Sequence, residues 1–476
     1  MNQTKNTIHP EGEDDIFEFP TYCGKVFLHP SEEALTPYGG LIPFAAFQKQ
    51  TGIIEQLAKT CPVVRTSPNA SSLYDIIATF GITVLSDGRR FTHANRIGDD
   101  KSIAEVFGMK RASSDDTIRR LFYSIEESAA KNWINSANRQ LWGVLPDKFI
   151  LDWDSTVQTK YGHQEGAEVG YNPTKKGRKS YHPLMAVASS TRLCLYYRWR
   201  PGDSSSAGEF TAAIDETMEM LGGLKSRLWL NRGDKAFGTD ANMLWHEKGA
   251  DKPKYLFKLK ITSSVKRAFS SILEDQWQGN AAFGVLQTAE ADIQLDGWNC
   301  PRRVILGRRN LGTILASRNN SFWDETKYEF EAYVTNLSTQ EANSWQVVDL
   351  YRKRADCENV FDELKNQWGF NGFTCRKSTP TSIAARLMLI FYNLWVLFMR
   401  LISPEKHIEM ISGRRWFLLI AARMTKSSRQ REVHLSVGKE FWKELKQGYA
   451  RVYQWIKETA PQLDMFGLFQ PVLIPG

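Results

Sequence analysis

Paired cysteines, a membrane-length apolar run, internal repeats and low-complexity tracts are all missing from this 476-residue chain. Six cysteines (Cys23, Cys61, Cys194, Cys300, Cys357 and Cys375) are scattered with no Cys-x-x-Cys among them. That excludes a zinc ribbon and a disulfide framework, and it predicts a reducing, cytoplasmic setting. The most apolar stretch, residues 387–399, is closed off by Arg386 and Arg400. A bilayer needs about 20 apolar residues, so no membrane span is expected. The first residues are acidic and show no apolar h-region, so no secretory signal is expected either. What remains is 42% hydrophobic and 24% charged, the balance of a folded protein rather than a disordered one. The length is enough for two to four domains.

The net charge of +8 is modest, but it is unevenly placed. Residues 160–200 hold eight bases against two acids, including Lys175, Lys176, Arg178 and Lys179. Residues 410–431 hold six bases (Arg414, Arg415, Arg423, Lys426, Arg429, Arg431) and no acid. Such stretches are either solvated faces or contacts to a polyanion, because each cation at a phosphate releases a counterion.

The first 145 residues read as mainly helical. Residues 102–108 form a short amphipathic helix ending at Gly108. Residues 113–122 begin a second, with Ser113 and Asp116 at its start and Ile118, Leu121 and Phe122 as the buried stripe. Two short helices with a tight connection are compatible with a helix–turn–helix. From Phe149 strands and helices alternate, which predicts an α/β core. Residues 276–340 turn β-rich and read as an insertion into that core. Helices resume at Ser344 and run through Gln367, then 383–402 and 439–459.

Three places could carry chemistry. Strand alternation puts Asp152 and Asp154 on one face, and geometry alone does not choose between them. Asp234 follows an apolar strand, where open α/β sheets bind ligands. The expected helix 351–365 sets Tyr351, Arg354, Glu358 and Lys365 along one stripe, since a seven-residue step drifts by only about 20°. The stripe reads either as a surface ion ladder or as the wall of a cleft.

The spacing Tyr351-x2-Arg354-x3-Glu358-x6-Lys365 resembles the YREK signature of bacterial insertion-sequence transposases with a DDE triad. The segments Leu151-Asp-Trp-Asp-Ser-Thr156, Gln164 to Leu184, and Tyr333-Val-Thr-Asn-Leu337 are similar to those of the insertion-sequence 1380 group. The resemblance covers about residues 100–400. It implies an RNase H-like catalytic core (148–275 and 341–402), interrupted by a β-rich insertion at 276–340. A mainly helical DNA-binding region (1–147) would precede it, and a basic helical region (403–476) would follow. Asp154, Asp234 and Glu358 become the implied triad; Asp154 is preferred over Asp152 because a hydroxyl residue follows it. Lys235, beside Asp234, departs from the family pattern.

The resemblance further implies two Mg²⁺ ions, with Mn²⁺ as a substitute, held by those three carboxylates. Hard cations take oxygen ligands, and the acids are not joined by a Cys or His cluster. Tyr351, Arg354, Lys365, the 175–179 bases, Arg414 and Arg415 are the implied contacts to double-stranded DNA, both transposon ends and target. A homodimer would pair the two ends. His163 and His182 are expected to make ordinary hydrogen bonds, and Trp277, Trp298, Trp323 and Tyr328 either pack or stack on a base. A metal-dependent nuclease on the same fold, or a DNA-binding descendant that no longer cuts, are the alternatives.

Overall fold

The computed structural model describes residues 17–28, 33–67, 69–205, 208–280, 284, 286–311, 328–428 and 430–459; Trp323 and Arg429 lie outside them. Among the described residues, nine strands make one central sheet. In chain order they are β1 (Phe149–Ser155), β2 (Leu184–Ala188), β3 (Leu193–Arg198), β4 (Leu228–Gly233), β5 (Lys254–Lys258), β6 (Gln278–Gly279), β7 (Leu286–Ile293), β8 (Arg302–Asn310) and β9 (Tyr328–Thr335). Their spatial order is β6-β7-β8-β9-β5-β4-β1-β2-β3. Only β1, β4 and β5 run parallel; every other pairing is antiparallel. The parallel strands are largely buried on both faces, and mostly apolar apart from the acids of β1 and Asn231 and Arg232 of β4.

The β-rich block, which interrupts the α/β core in the chain, is continuous with its sheet. β9 pairs directly with β5, and β8, β7 and β6 continue outward, so residues 278–335 widen the same sheet. Antiparallel strands add to a sheet edge through short connections, which a sequence-based boundary cannot distinguish from a new domain.

The helices that bear on the site are α1 (Leu73–Leu85), α2 (Asp115–Tyr123), α3 (Glu127–Arg139), α4 (Ser344–Arg352), α5 (Ala355–Gln367), α6 (Ser378–Ile402) and α7 (Lys439–Glu458). α2 begins one residue later than the sequence suggested. Ser114, not Ser113, is the cap, accepting from the Thr117 amide, while the Ser113 amide donates to Thr79 Oγ1 at 3.0 Å. α6 is long and apolar enough to cross a membrane by length and composition alone, and its apolar window is wholly buried within this protein. It packs on α1, α2, α3, α7 and β3, so the N-terminal and C-terminal segments share one core with the sheet. Asn393 secures that junction. β3 is an edge strand, and the buried amide accepts from Cys194 N at 2.8 Å and donates to Cys194 O at 2.9 Å, satisfying backbone groups no strand covers.

The C-terminal basic stretch is not all helical as expected. Ala422–Ser427 and Gln430–Leu435 form an antiparallel hairpin, extended by Leu35–Thr36 from the N-terminal part.

One buried group makes the fold pH-sensitive. His246 is buried among Phe210, Tyr255 and Phe257, with Nδ1 donating to Pro253 O at 2.9 Å and no partner for Nε2. Burial pulls its pKa down to about 4. The unfolded chain takes up that proton first, near 6.5. The stability is thus full above about 6.5 and is lost as pH falls towards 4, on the order of 3 kcal/mol. Denaturant titrations at pH 7 and pH 4.5 should show this loss for wild type and a smaller one for His246→Phe. Equal losses would remove His246 as the cause.

Candidate active site

The parallel pairing of β1 with β4 decides what each acid does. The register sets Asp152 beside Arg232 and Trp153 beside Gly233, so the next step brings Asp234 alongside Asp154. Asp152 and Arg232 are both fully buried and bonded twice, Nε to Oδ1 at 2.6 Å and Nη2 to Oδ2 at 2.7 Å. Arg232 also donates to Ser189 Oγ and to the Leu350 carbonyl. This guanidinium, which the sequence reading missed, makes Asp152 a structural anion. A carboxylate on a buried strand requires a cation within reach; the only sequence trace of it was an arginine two residues before Asp234.

Asp154 sits at the end of β1, with its side chain one-quarter exposed. Burial pushes its pKa up, Arg354 pulls it back, and Asp234 pushes it up again, which shows the two aspartates within electrostatic reach of one another. Asp234 opens a tight turn: its Oδ1 accepts from the Ala236 amide at 2.9 Å, and its carbonyl accepts from Phe237 N. Gly233 is needed there, because a Cβ would meet the Phe237 ring at 2.8 Å. Lys235 is exposed, and no ion pair joins it to Asp234.

The third acid comes from a helix that breaks where one helix was expected. α4 ends at Arg352 and α5 begins at Ala355, with Lys353 and Arg354 in a turn between them. The single stripe is thus split. Tyr351 belongs to α4 and packs against the Tyr333 ring at 4.6 Å, while Arg354, Glu358 and Lys365 start, line and end α5. Arg354 is almost fully buried and bridges two acids: Nη2 to Asp154 Oδ2 at 2.7 Å and Nη1 to Glu358 Oε1 at 2.8 Å. Asp154 holds its guanidinium firmly protonated. Glu358 is mostly exposed beyond that bridge. The Tyr351 hydroxyl is kept protonated by burial, opposed by Arg354 and reinforced by Asp234, Glu358 and Asp154. The opposite face of α5 is anchored by buried Glu363, which accepts from His407, Trp368 and the Met410 amide.

Lys365 is half-buried, and burial lowers its pKa while Asp154 and Asp362 raise it. His182 is buried next to the site. Its Nδ1 donates to Ser204 O at 2.8 Å, leaving Nε2 to accept from Ser155 Oγ at 3.0 Å, an ordinary structural histidine. Lys175, Lys176, Arg178 and Lys179 are exposed on the turn of a small three-stranded sheet, Arg178 over the Tyr161 ring and Lys179 near Glu168. Arg415 is exposed, but Arg414 is buried: it donates to the carbonyls of Val84, Leu85 and Gln367 and pairs with Asp87. Its donors are spent on holding α1 to the end of α5. Trp277 is buried against Phe269 under the Arg308 guanidinium, which accounts for its ring by packing.

Among the described residues no group of three or more His, Cys, Asp or Glu is already spaced to hold an ion. Arg354 instead links Asp154 and Glu358, with Asp234 alongside. The donor set is all carboxylate oxygen, which suits a hard divalent cation.

Acids brought together at the carboxyl ends of two parallel strands, facing a helix that presents a third, define an α/β protein with a carboxylate-centred site. The chain matches the family described as transposase DDE domain group 1 over residues 25–456, and it belongs to that DDE transposase family. No curated protein matches it. Among solved structures, one described as the cryo-EM structure of piggyBac transposase synaptic complex with hairpin DNA is similar at 12% identity and a TM-score of 0.40. That likeness covers 94% of this chain and 89% of the other.

Proposed function

We propose that this protein is a cut-and-paste DNA transposase of the insertion-sequence 1380 type, built on an RNase H-like core, with Asp154, Asp234 and Glu358 as its triad. The observation that carries the reading is the meeting of Asp154, from β1, and Glu358, from α5, on Arg354, with Asp234 in the turn after the neighbouring strand β4. The strand order β3-β2-β1-β4-β5, with the first three antiparallel and the rest parallel, supports the core assignment.

Asp154, Asp234 and Glu358 would hold Mg²⁺, or Mn²⁺ in its place, once Glu358 and Asp154 turn from Arg354. The bound ions supply charge neutralisation at the phosphate and an activated hydroxyl. The protein's own residues do the rest. Arg354, itself almost fully buried, keeps a fixed positive charge where phosphate charge develops. Lys365 attracts the backbone next to it, and the protonated Tyr351 hydroxyl offers a donor among the acids. The partners are double-stranded DNA, as transposon ends and as target, and a second copy of the chain to pair two ends, in the cytoplasm.

The test is a cleavage and strand-transfer assay with Mg²⁺ on duplexes carrying the element's terminal repeats. Glu358→Gln should bind as wild type does and neither nick nor join. Cutting retained in the variant would remove Glu358 from the triad. Wild-type cutting without joining would make the protein a nuclease, and binding without cutting a non-catalytic descendant.

A further inference from the structure

A cleft of about 1020 Å³ lies between α2 and the turn that follows α5. Arg89, Arg90, Arg119, Arg120, Lys365 and Arg376 line it, against Asp116 as the one acid among the described residues of its wall. We infer that this cleft is a track for the sugar–phosphate backbone of a DNA strand running to or from the scissile bond, an inference that rests on the reading of the carboxylate site above.

Three observations carry it. First, four of the six cations in the cleft are in no internal ion pair among the described residues. Arg198, Arg232, Arg302, Arg303, Arg308 and Arg354 are all paired with acids. In the cleft, Arg89 meets Asp87, and Arg119 meets Asp115 and Asp116. Arg90, Arg120 and Arg376 are exposed and, among the described residues, lie in no ion pair, and no acid lies within ion-pair distance of Lys365. Like charges crowded around one concavity repel, and a polyanion is the ligand that offsets this.

Second, the two walls are locked together, so the cleft is a fixed feature. The Phe373 amide donates to Arg89 O at 3.0 Å, and the Phe373 ring packs on Phe80 and Phe91. Gly372 lies so close to Arg89 that a Cβ would stand 2.1 Å from its carbonyl oxygen. From the other side, buried Lys160 donates to Asn371 O at 3.0 Å and Thr374 Oγ1 at 3.1 Å. The turn 369–376 is thereby clamped between the N-terminal helices and the sheet.

Third, the cleft leads to the chemistry. Lys365 lines it and, at the end of α5, also feels the charge of Asp154. α2 is the second helix of the pair compatible with a helix–turn–helix. Its Ile118, Leu121 and Phe122 face the core, and Asp116, Arg119, Arg120 and Tyr123 face this cleft and the end of the catalytic helix. A strand bound here is gripped by the N-terminal region and by the segment that carries Glu358 at once.

The test is fluorescence anisotropy of full-length protein with a labelled 30-base-pair duplex in EDTA, from 50 to 200 mM KCl. Arg120→Ala/Arg376→Ala should bind about tenfold more weakly at 100 mM. Its plot of log affinity against log salt should be shallower by about 1.8, or 0.9 for each phosphate no longer neutralised. Arg120→Lys/Arg376→Lys should keep most of the slope. Lys439→Ala/Lys446→Ala, which removes as much charge from α7, should change neither quantity. Affinity and slope unchanged in the alanine pair, or lowered equally in the α7 pair, would overturn the inference, as would a wild type that binds no duplex. A cleavage assay with Mg²⁺ separates this from the functional reading. If wild type cuts but the alanine pair binds normally, only the cleft assignment fails. If binding falls as expected but wild type never cuts, the transposase reading fails and the cleft stands.

Discussion

Asp154→Asn is expected to give a folded protein that binds DNA and no longer cuts it. The substitution keeps the side chain's size, and an amide oxygen can still accept from the Ser155 amide, which now donates to Asp154 Oδ1 at 2.7 Å. Arg354 loses one charged partner but keeps Glu358 and the Trp153 carbonyl. Removing the charge beside Asp234 also relieves the repulsion that burial intensifies. The melting temperature should therefore stay within a few degrees of wild type. Charge stabilisation in phosphoryl transfer is worth several kcal/mol, and about 1.4 kcal/mol is a factor of ten, so the rate should fall by about three powers of ten or more. A single-turnover cleavage assay at saturating DNA reads it. A loss below about tenfold would put the essential acid elsewhere.

Asp152→Asn, two residues earlier on the same face of the strand, should fail in a different way. Its carboxylate is the countercharge of an arginine with no exposure to solvent. Breaking such a pair from one side leaves a buried charge uncompensated, at about 3–5 kcal/mol. That is a large share of the 5–15 kcal/mol or so that holds a domain together. The variant should melt markedly lower and accumulate as insoluble protein. Replacing both partners, Asp152→Leu with Arg232→Met, should recover most of the loss, because no charge is then stranded. Denaturant titrations of the single and double variants check this, and a single variant as stable as wild type would sink it. The activity of whatever Asp152→Asn protein does fold should remain near wild type per folded molecule. Total activity alone would confuse the two aspartates.

Much of this arrangement was legible in the chain itself. Mainly apolar runs bounded by turn residues located β1, β2, β3, β4 and β5 to within a few residues, because strands buried on both faces are mostly apolar. The spacing from Arg354 to Glu358 held, since four residues is one helical turn whatever precedes it. The break before Arg354 was not legible: no proline or glycine marks it, and the bond that Arg354 makes just after it goes to Asp154, 200 residues away in the chain. Nor was the fate of Arg414, which reads as one more base in a basic stretch and is buried capping carbonyls of α1.

By itself the sequence determined the α/β character, the family to which the chain belongs, and the set of acids from which a site could be built. These rest on local periodicity and on short spacings, which the chain carries wherever it is placed. Only the tertiary structure decided which aspartate on β1 is spent on Arg232 and which stands beside Asp234. That choice is the register of two parallel strands whose paired acid and base lie 80 residues apart. The same holds for the joining of the β-rich block to the central sheet and for the cleft where N-terminal arginines meet the end of α5. Each is set by packing between distant segments, and no residue pattern within one segment encodes the neighbour it will meet.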